Sequence, residues 1–258
     1  MKTVLIGAGN VATHLGRAVK SVGMDVVQVW SRTLASARQL GEALGCSFTA
    51  DIDEVVHDAD LFIISVTDDA LPGVIQALCP SRRDAVFVHT AGSMPMDCFS
   101  GYADSYGVLY PMQTFSKAKE IDFRNVPVFV EASNDETMNA VEGFAGKITD
   151  SVYRLDSEGR KWLHLAAVFA CNFSNYCCSV AYDMLQKRGI PFSVMLPLVA
   201  ETAGKLSALT PREAQTGPAA RGDVKLMEEQ EKLLACDDNL AQIYRLVSQG
   251  IMRNRNKE

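Results

Sequence analysis

An excess of basic residues is missing from this sequence: 25 Lys and Arg stand against 31 Asp and Glu, for a net charge of −6. Nucleic acid and anionic membrane surfaces are therefore poor partners. A negatively charged ligand must be held by local groups, which makes single arginines informative. The seven cysteines (46, 79, 98, 171, 177, 178 and 236) are scattered and contain no C-x-x-C pair. That excludes a disulfide framework or a zinc ribbon and fits reduced thiols in a cytoplasmic protein. Cys177 and Cys178, adjacent inside an apolar run, read as buried structural thiols. The four histidines are isolated and no carboxylate pair has ligand spacing, so no metal centre is expected.

Long hydrophobic runs are scarce too. Residues 162–185 approach the length of a membrane span, but His164, Asn172, Ser174, Asn175 and Asp183 interrupt them. A helix buried inside the protein, or between subunits, is the better reading. No charged leader with an apolar segment precedes the first strand candidate at Thr3, so no signal peptide is expected. The basic tail at 253–257 reads as a frayed, solvated terminus.

What is present is an alternation. Strand candidates at 3–6, 25–30, 61–66, 85–89, 107–110 and 126–131 are separated by helical patterns at 11–22, 34–44, 52–57, 70–78 and 135–148. The run Leu61–Val66 is continuously apolar, as a strand covered on both faces must be. Such alternation predicts an α/β fold with a doubly wound, mostly parallel sheet. Around 151–155 the pattern turns wholly helical: 158–188, 192–209, and 223 to the end. The expected organisation is a Rossmann dinucleotide-binding domain over 1–152 and an all-α domain over 153–258.

Gly7-Ala8-Gly9-Asn10-Val11-Ala12 follows the first strand and opens a helix, which is the G-x-G-x-x-A form of the dinucleotide fingerprint. Gly7 permits the tight turn, Gly9 lets a pyrophosphate approach the backbone, and Ala12 keeps helix and strand close. Free N–H groups at the helix start would face the phosphates. NAD-preferring proteins place an acid at the end of the second strand to accept ribose hydroxyls. This chain reads Ser31-Arg32-Thr33 there. Either Arg32 pairs with a 2′-phosphate, helped by the two hydroxyls, or Ser31 caps the next helix and Arg32 is a solvated charge. The first reading makes NADP(H) the expected cofactor.

Further strand ends should complete the site, because ligands bind outside the carboxyl ends of parallel strands. Val66-Thr67-Asp68-Asp69 is one; its carboxylates could instead cap the helix at Ala70. His89-Thr90-Ala91-Gly92 is another, with His89 either near the nicotinamide or packed in the strand. Tyr110-Pro111-Met112-Gln113 stands at the same rim.

These residues carry a resemblance. Gly-Ala-Gly-Asn-Val-Ala-Thr-His-Leu, Ser-Arg-Thr, Leu-His-Leu-Ala-Ala-Val-Phe-Ala-Cys-Asn-Phe and the run from Thr216 to Asp223 (Thr-Gly-Pro-Ala-Ala-Arg-Gly-Asp) together cover the chain. They resemble a Rossmann-like NADP oxidoreductase family with a C-terminal helical domain of unknown function. More distantly the layout is similar to pyrroline-5-carboxylate reductases, deazaflavin-dependent NADP oxidoreductases and β-hydroxyacid dehydrogenases. In those relatives the helical domain closes the nicotinamide site, often from a partner subunit. The Lys-x-x-x-Asn of the β-hydroxyacid dehydrogenases is missing, since Lys161 is followed four residues later by Leu165. That mechanism does not carry over.

In the helical half, His164 sits in an apolar helix. Cys171 and Asn175 should share its direction, while Asn172 lies ~80° round and ~12 Å along the axis. His164 and Asn172 are the catalytic candidates: an imidazole suits proton transfer near neutral pH. The bland alternatives are a satisfied core histidine and an interhelical hydrogen bond. In pyrroline-5-carboxylate reductases a glycine-containing loop after the long helix binds the substrate carboxylate. The resemblance thus makes Arg221, with Thr216 and Asp223, the substrate candidates beside His89 and Tyr110; alternatively Asp223 caps the next helix. The expected activity is NADP(H)-dependent hydride transfer to or from a small carboxylate-bearing molecule, in a homodimer joined through the C-terminal helices. The rival is a non-catalytic NADP(H)-binding sensor or interaction protein.

Overall fold

In the computed structural model, which describes residues 1–255, the alternation becomes one eight-stranded sheet. The strands are β1 (Lys2–Ile6), β2 (Asp25–Trp30), β3 (Ser47–Thr49), β4 (Leu61–Ile64), β5 (Val86–His89), β6 (Ser105–Pro111), β7 (Val128–Ala132) and β8 (Val152–Arg154). Their order is β3-β2-β1-β4-β5-β6-β7-β8. Neighbours are parallel except β6 and β7, which run antiparallel.

Both faces of the sheet are covered. α1 (Asn10–Ser21), α2 (Leu34–Leu44) and α4 (Asp135–Ile148) pack on one, where Leu15, Val19, Leu40 and Phe144 meet Leu5, Val88 and Leu109. α3 (Leu71–Leu78) packs on the other, with Leu71, Ile75 and Leu78 against Val4, Ile6, Phe62 and Phe87. β4 explains its own sequence: Leu61 and Ile63 belong to the first core, Phe62 and Ile64 to the second. A strand buried on both sides has no position for a polar residue.

The helix expected at 52–57 does not form. Its backbone is satisfied by side chains instead. The Arg82 guanidinium, itself buried, donates from Nε to Val56 O at 3.1 Å, from Nη1 to Leu78 O at 2.9 Å, and from Nη2 to Val55 O. Gln28 Oε1 accepts from Val56 N at 2.8 Å, and Asp51 Oδ1 from Asp53 N at 2.9 Å. Side chains that offer the backbone such partners compete directly with helix. β3 and β8, three residues each, carry too little periodicity to be read beforehand.

The long helix expected at 158–188 is interrupted. It comprises α5 (Ser157–Ala167), a π-helical turn (Val168–Phe173) and α6 (Ser174–Gln186). The placement of Cys171 and Asn175 on the His164 face assumed an unbroken repeat of about 3.6 residues; the wider π turn shifts that phase. Nor is this helix buried within the chain: Trp162 is 66% exposed and Phe169 63%. Cys177 is exposed and Cys178 half-buried, against the expectation of burial.

By its contacts the chain forms two compact units, Met1–Tyr176 and Cys177–Glu258. The division falls inside the long helix and not at the change of pattern near residue 152. The second unit holds α7 (Leu196–Gly204), α8 (Pro218–Arg221), α9 (Val224–Leu233) and α10 (Asp238–Arg255). Tyr244 Oη donates to Gln230 Oε1 at 2.7 Å, joining α10 to α9. Through Arg255 the basic tail is helical rather than frayed; the rest of it lies outside the described residues. Among the described residues no helix is long and apolar enough to cross a membrane.

Candidate functional site

β1 runs straight into Gly7, whose φ of 118° lies in the region that favours glycine. A Cβ here would stand 2.2 Å from Ser65 O, so no other residue lets β1 and β4 end side by side. Gly9 is the opposite case. Nothing lies within 4 Å of its Cβ position, and the space above it is open. It is the N-cap of α1, which has no side-chain cap and no acid in its first turn. Uncapped N–H groups under open space are what an anion needs.

A cleft of about 700 Å³ lies over this turn. Gly7, Ala8, Gly9, Asn10 and Val11 form its centre, Ser31, Arg32 and Thr33 one side, and Val66 and Thr67 the other, so every expected cofactor residue lines it. The alternative for Ser31 does not hold: the N-cap of α2 is Thr33, whose Oγ1 accepts from Ser36 N at 3.4 Å. Ser31 and Arg32 are left beside the cleft, with Ser36 joining them. A guanidinium, three hydroxyls and a helix start suit a 2′-phosphate, and the second strand offers no acid there to repel it. Ser36 escaped notice because it sits inside the helical pattern, one turn from its cap.

On the far side, Thr90 Oγ1 donates to Ser65 Oγ at 3.1 Å, and the cleft ends at Ala91. Asp68 does not cap α3, whose N-cap is Ala70 without a side-chain bond. Its carboxylate accepts from Ser93 Oγ.

Directly beyond Ala91 stands a pair that the sequence named in two separate halves. Tyr110, on β6, has its Oη 3.1 Å from Nδ1 of His164, on α5. The His164 ring lies over Gly92, where a Cβ would come within 2.7 Å of Nδ1. Glycine at 92 is therefore what admits the imidazole. His164 is half-buried and Tyr110 is 9% exposed. Burial pushes the Tyr110 phenol above its ordinary 10, and the Arg160 charge pulls the other way.

His89 is a correction. It does not line the cleft but is fully buried, stacked on Phe99 with ring centroids 5.8 Å apart. Nδ1 accepts from Ala91 N at 3.2 Å, and the Pro95 backbone is the other polar group that acts on the ring. Burial first, then the charge of Arg160, lowers its pKa from 6.5 to about 4. It is a neutral packing residue that shapes the turn leading to Gly92. Asn172 lies in the π-helical turn, exposed, and takes no part in the Tyr110–His164 bond.

Three candidates belong to the second unit. Thr216 and Arg221 are exposed, with Arg221 closing α8. Asp223 is the N-cap of α9 and accepts from Leu226 N at 3.2 Å, as its structural alternative requires.

Sequence reasoning missed a buried ion pair beside the Tyr110–His164 pair. Arg160, 1% exposed, bonds Glu131 on β7 at 2.6 Å. Its position four residues before His164 on one helix face was the available signal.

Two family models match the chain: a Rossmann-like domain over residues 1–111, and a domain of unknown function (DUF2520) over residues 126–251. The crystal structure of a "putative NADP oxidoreductase" from Bacteroides fragilis is 45% identical, with a TM-score of 0.94 and 98% of each chain covered. A 1-pyrroline-5-carboxylate reductase from Streptococcus pyogenes shares the fold at 14% identity, with a TM-score of 0.67 and 98% of each chain covered. A glutamyl-tRNA reductase from Saccharophagus degradans is 30% identical over 146 residues, 54% of this chain and 34% of that protein. The match thus spans about a third of the length of this curated relative. On its identity and coverage with the Bacteroides protein, the chain belongs to the family that joins a Rossmann-like domain to a C-terminal DUF2520 domain.

Proposed function

We propose that this protein is an NADP(H)-dependent oxidoreductase that moves a hydride to or from a small carboxylate-bearing substrate. The observation that carries this reading is the arrangement along one rim of the sheet, from the end of β2 to the end of β6. Arg32 stands at one side of the glycine turn, and beyond Ala91, at the other, stands a hydrogen-bonded Tyr110–His164 pair. The Bacteroides relative, described by its name as an NADP oxidoreductase, supports the cofactor.

When bound, NADP(H) supplies or accepts the hydride. The chain's residues do the rest. Gly9 and the first turn of α1 would receive the pyrophosphate, while Ser31, Arg32, Thr33 and Ser36 would hold the 2′-phosphate. Tyr110 and His164 give a proton to, or take one from, the heteroatom beside the reacting carbon. Arg221 is the proposed carboxylate contact, since a guanidinium binds a carboxylate through two parallel bonds.

NADPH consumption across panels of carbonyl, imine and alcohol substrates bearing carboxylates tests the activity. Stoichiometric binding of NADPH without consumption across all of them would favour the sensor reading instead. The cofactor choice has its own test. Unmodified protein should bind NADPH more tightly than NADH, and Arg32→Ala should erase most of the difference, at a cost of roughly 1.5–3 kcal/mol for one charged contact. Equal affinities for both cofactors in the unmodified protein would defeat it.

Assembly follows from the apolar surface of the long helix. Trp162, Phe169, Phe173, Tyr176 and Tyr182 are all exposed along it, more than a monomer keeps in water. We take this as the face of a homodimer through the C-terminal helices. Light scattering at micromolar concentration should give twice the chain mass; a stable monomer would contradict it.

A further inference from the structure

The first turn of α5 is fastened more heavily than a surface helix needs. Glu131 Oε1 accepts from Ser157 N at 3.0 Å, and Oε2 accepts from Ser157 Oγ at 2.7 Å and from Arg160 Nη1 at 2.6 Å. Arg160 Nη2 donates to Met94 O at 2.6 Å and to Ser157 Oγ at 3.1 Å, while Met96 N donates to Ser157 Oγ at 3.0 Å. One buried guanidinium thus ties three elements together: β7 through Glu131, the segment after β5 through Met94, and α5 itself. Those elements frame the Tyr110–His164 pair. The segment after β5 brings Gly92 under the imidazole, β7 is the hydrogen-bonded neighbour of β6, and His164 lies one turn above Arg160 on α5.

We propose that Arg160 is a positioning residue for the Tyr110–His164 pair, fixing α5 against the sheet rim and setting the electrostatic field in which the pair shares a proton. A buried ion pair is a weak way to add stability, because desolvation offsets much of the attraction, but an effective way to fix geometry. Arg160 Nε is buried without a partner among the described residues, a cost that stability alone does not explain. The titratable and charged groups on the elements that frame the pair include His89 on β5, Asp68 bonded to Ser93 beside Gly92, Cys98 in the turn Met96–Phe99, Glu131 on β7, and Arg160 on α5. Burial keeps His89 and Cys98 neutral, their pKa values moved to about 4 and about 11. The charge that acts on Tyr110 is therefore that of Arg160, which Glu131 holds in place. The positive charge favours the phenolate and opposes the effect of burial.

This inference rests on the proton-transfer reading of the pair, but its test needs neither substrate nor NADPH, so either can fail alone. With 3,5-difluorotyrosine at position 110, fluorine NMR follows the phenol titration within the range where the protein is folded. Arg160→Met should raise that titration on the order of one pH unit, the effect of losing the one positive charge that, among the described residues, acts on the phenol. Arg160→Lys should leave it near the starting value, and Arg160→Gln, which also removes the charge, should raise it as Arg160→Met does. A purely structural role predicts the same titration in all four proteins, and that result would overturn the proposal. Should Arg160→Met not fold, Arg160→Gln decides, since it keeps hydrogen-bond donors without the charge: a raised titration supports the proposal, and an unchanged one refutes it.

Discussion

His164→Ala is expected to lower turnover roughly 10²–10⁴-fold while leaving NADPH affinity intact, the usual cost of removing a positioned acid–base group. The separation follows from the geometry. Residues that line the cofactor cleft come from the ends of β1, β2, β4 and β5 and from α1, α2 and α3, whereas His164 reaches the rim from α5 and touches Tyr110 and Gly92. Removing the imidazole withdraws a partner from the Tyr110 oxygen without disturbing Gly9 or Arg32. Tyr110→Phe should give a loss of similar size. Gly92→Ala is the sharper control, because it deletes no polar group. Its new methyl would fall 2.7 Å from His164 Nδ1, so the ring must move and the hydrogen bond must lengthen. Turnover and NADPH affinity of the three variants are the measurements. Unchanged turnover in His164→Ala would sink the assignment, and an equal loss of NADPH affinity would reduce His164 to a packing residue.

How much of this was legible beforehand depends on the range of the interactions. The glycine turn, Arg32 and the two-sided core of β4 are local patterns, each contained in a run of a few residues, and each was readable. Tyr110 and His164 were named from different arguments, one as a strand end and the other as a polar residue in an apolar helix. That they share a hydrogen bond depends on Gly92, 72 residues from His164 in sequence, and no local pattern reports such a meeting. The missing helix at 52–57 has the same cause. Its apolar residues satisfy the helical period, but Arg82 and Gln28, distant in sequence, claim the backbone carbonyls and N–H groups. The faces of the long helix were not legible for a different reason. The π turn at Val168–Phe173 alters the helical phase, and sequence periodicity assumes that phase to be constant.

His89 yields the second large effect, on stability rather than activity. Its ring is fully buried and neutral, with the pKa lowered from 6.5 to about 4 by burial and by Arg160. Above pH ~6.5 neither the folded nor the unfolded chain holds a proton here, and the full stability is present. Between pH ~6.5 and ~4 the unfolded chain binds a proton that the folded chain refuses, so stability falls as pH falls. Below pH ~4 both states are protonated and the loss levels off. At ~1.36 kcal/mol per unit, the window is worth on the order of 3 kcal/mol, a large fraction of the stability of an ordinary domain. The same protonation reaches the site. Nδ1 accepts from Ala91 N, and a protonated Nδ1 can no longer accept. The turn that carries Gly92 beneath His164 then loses its hold. His89→Asn keeps an acceptor close to the Nδ1 position but does not titrate. Urea unfolding of both proteins from pH 7 to pH 4 should show a steep decline for the unmodified chain and a flatter one for His89→Asn, even though the smaller side chain lowers stability at every pH. Parallel declines across the window would show that His89 takes up its proton without unfolding the chain, and the neutral, closed assignment would be lost.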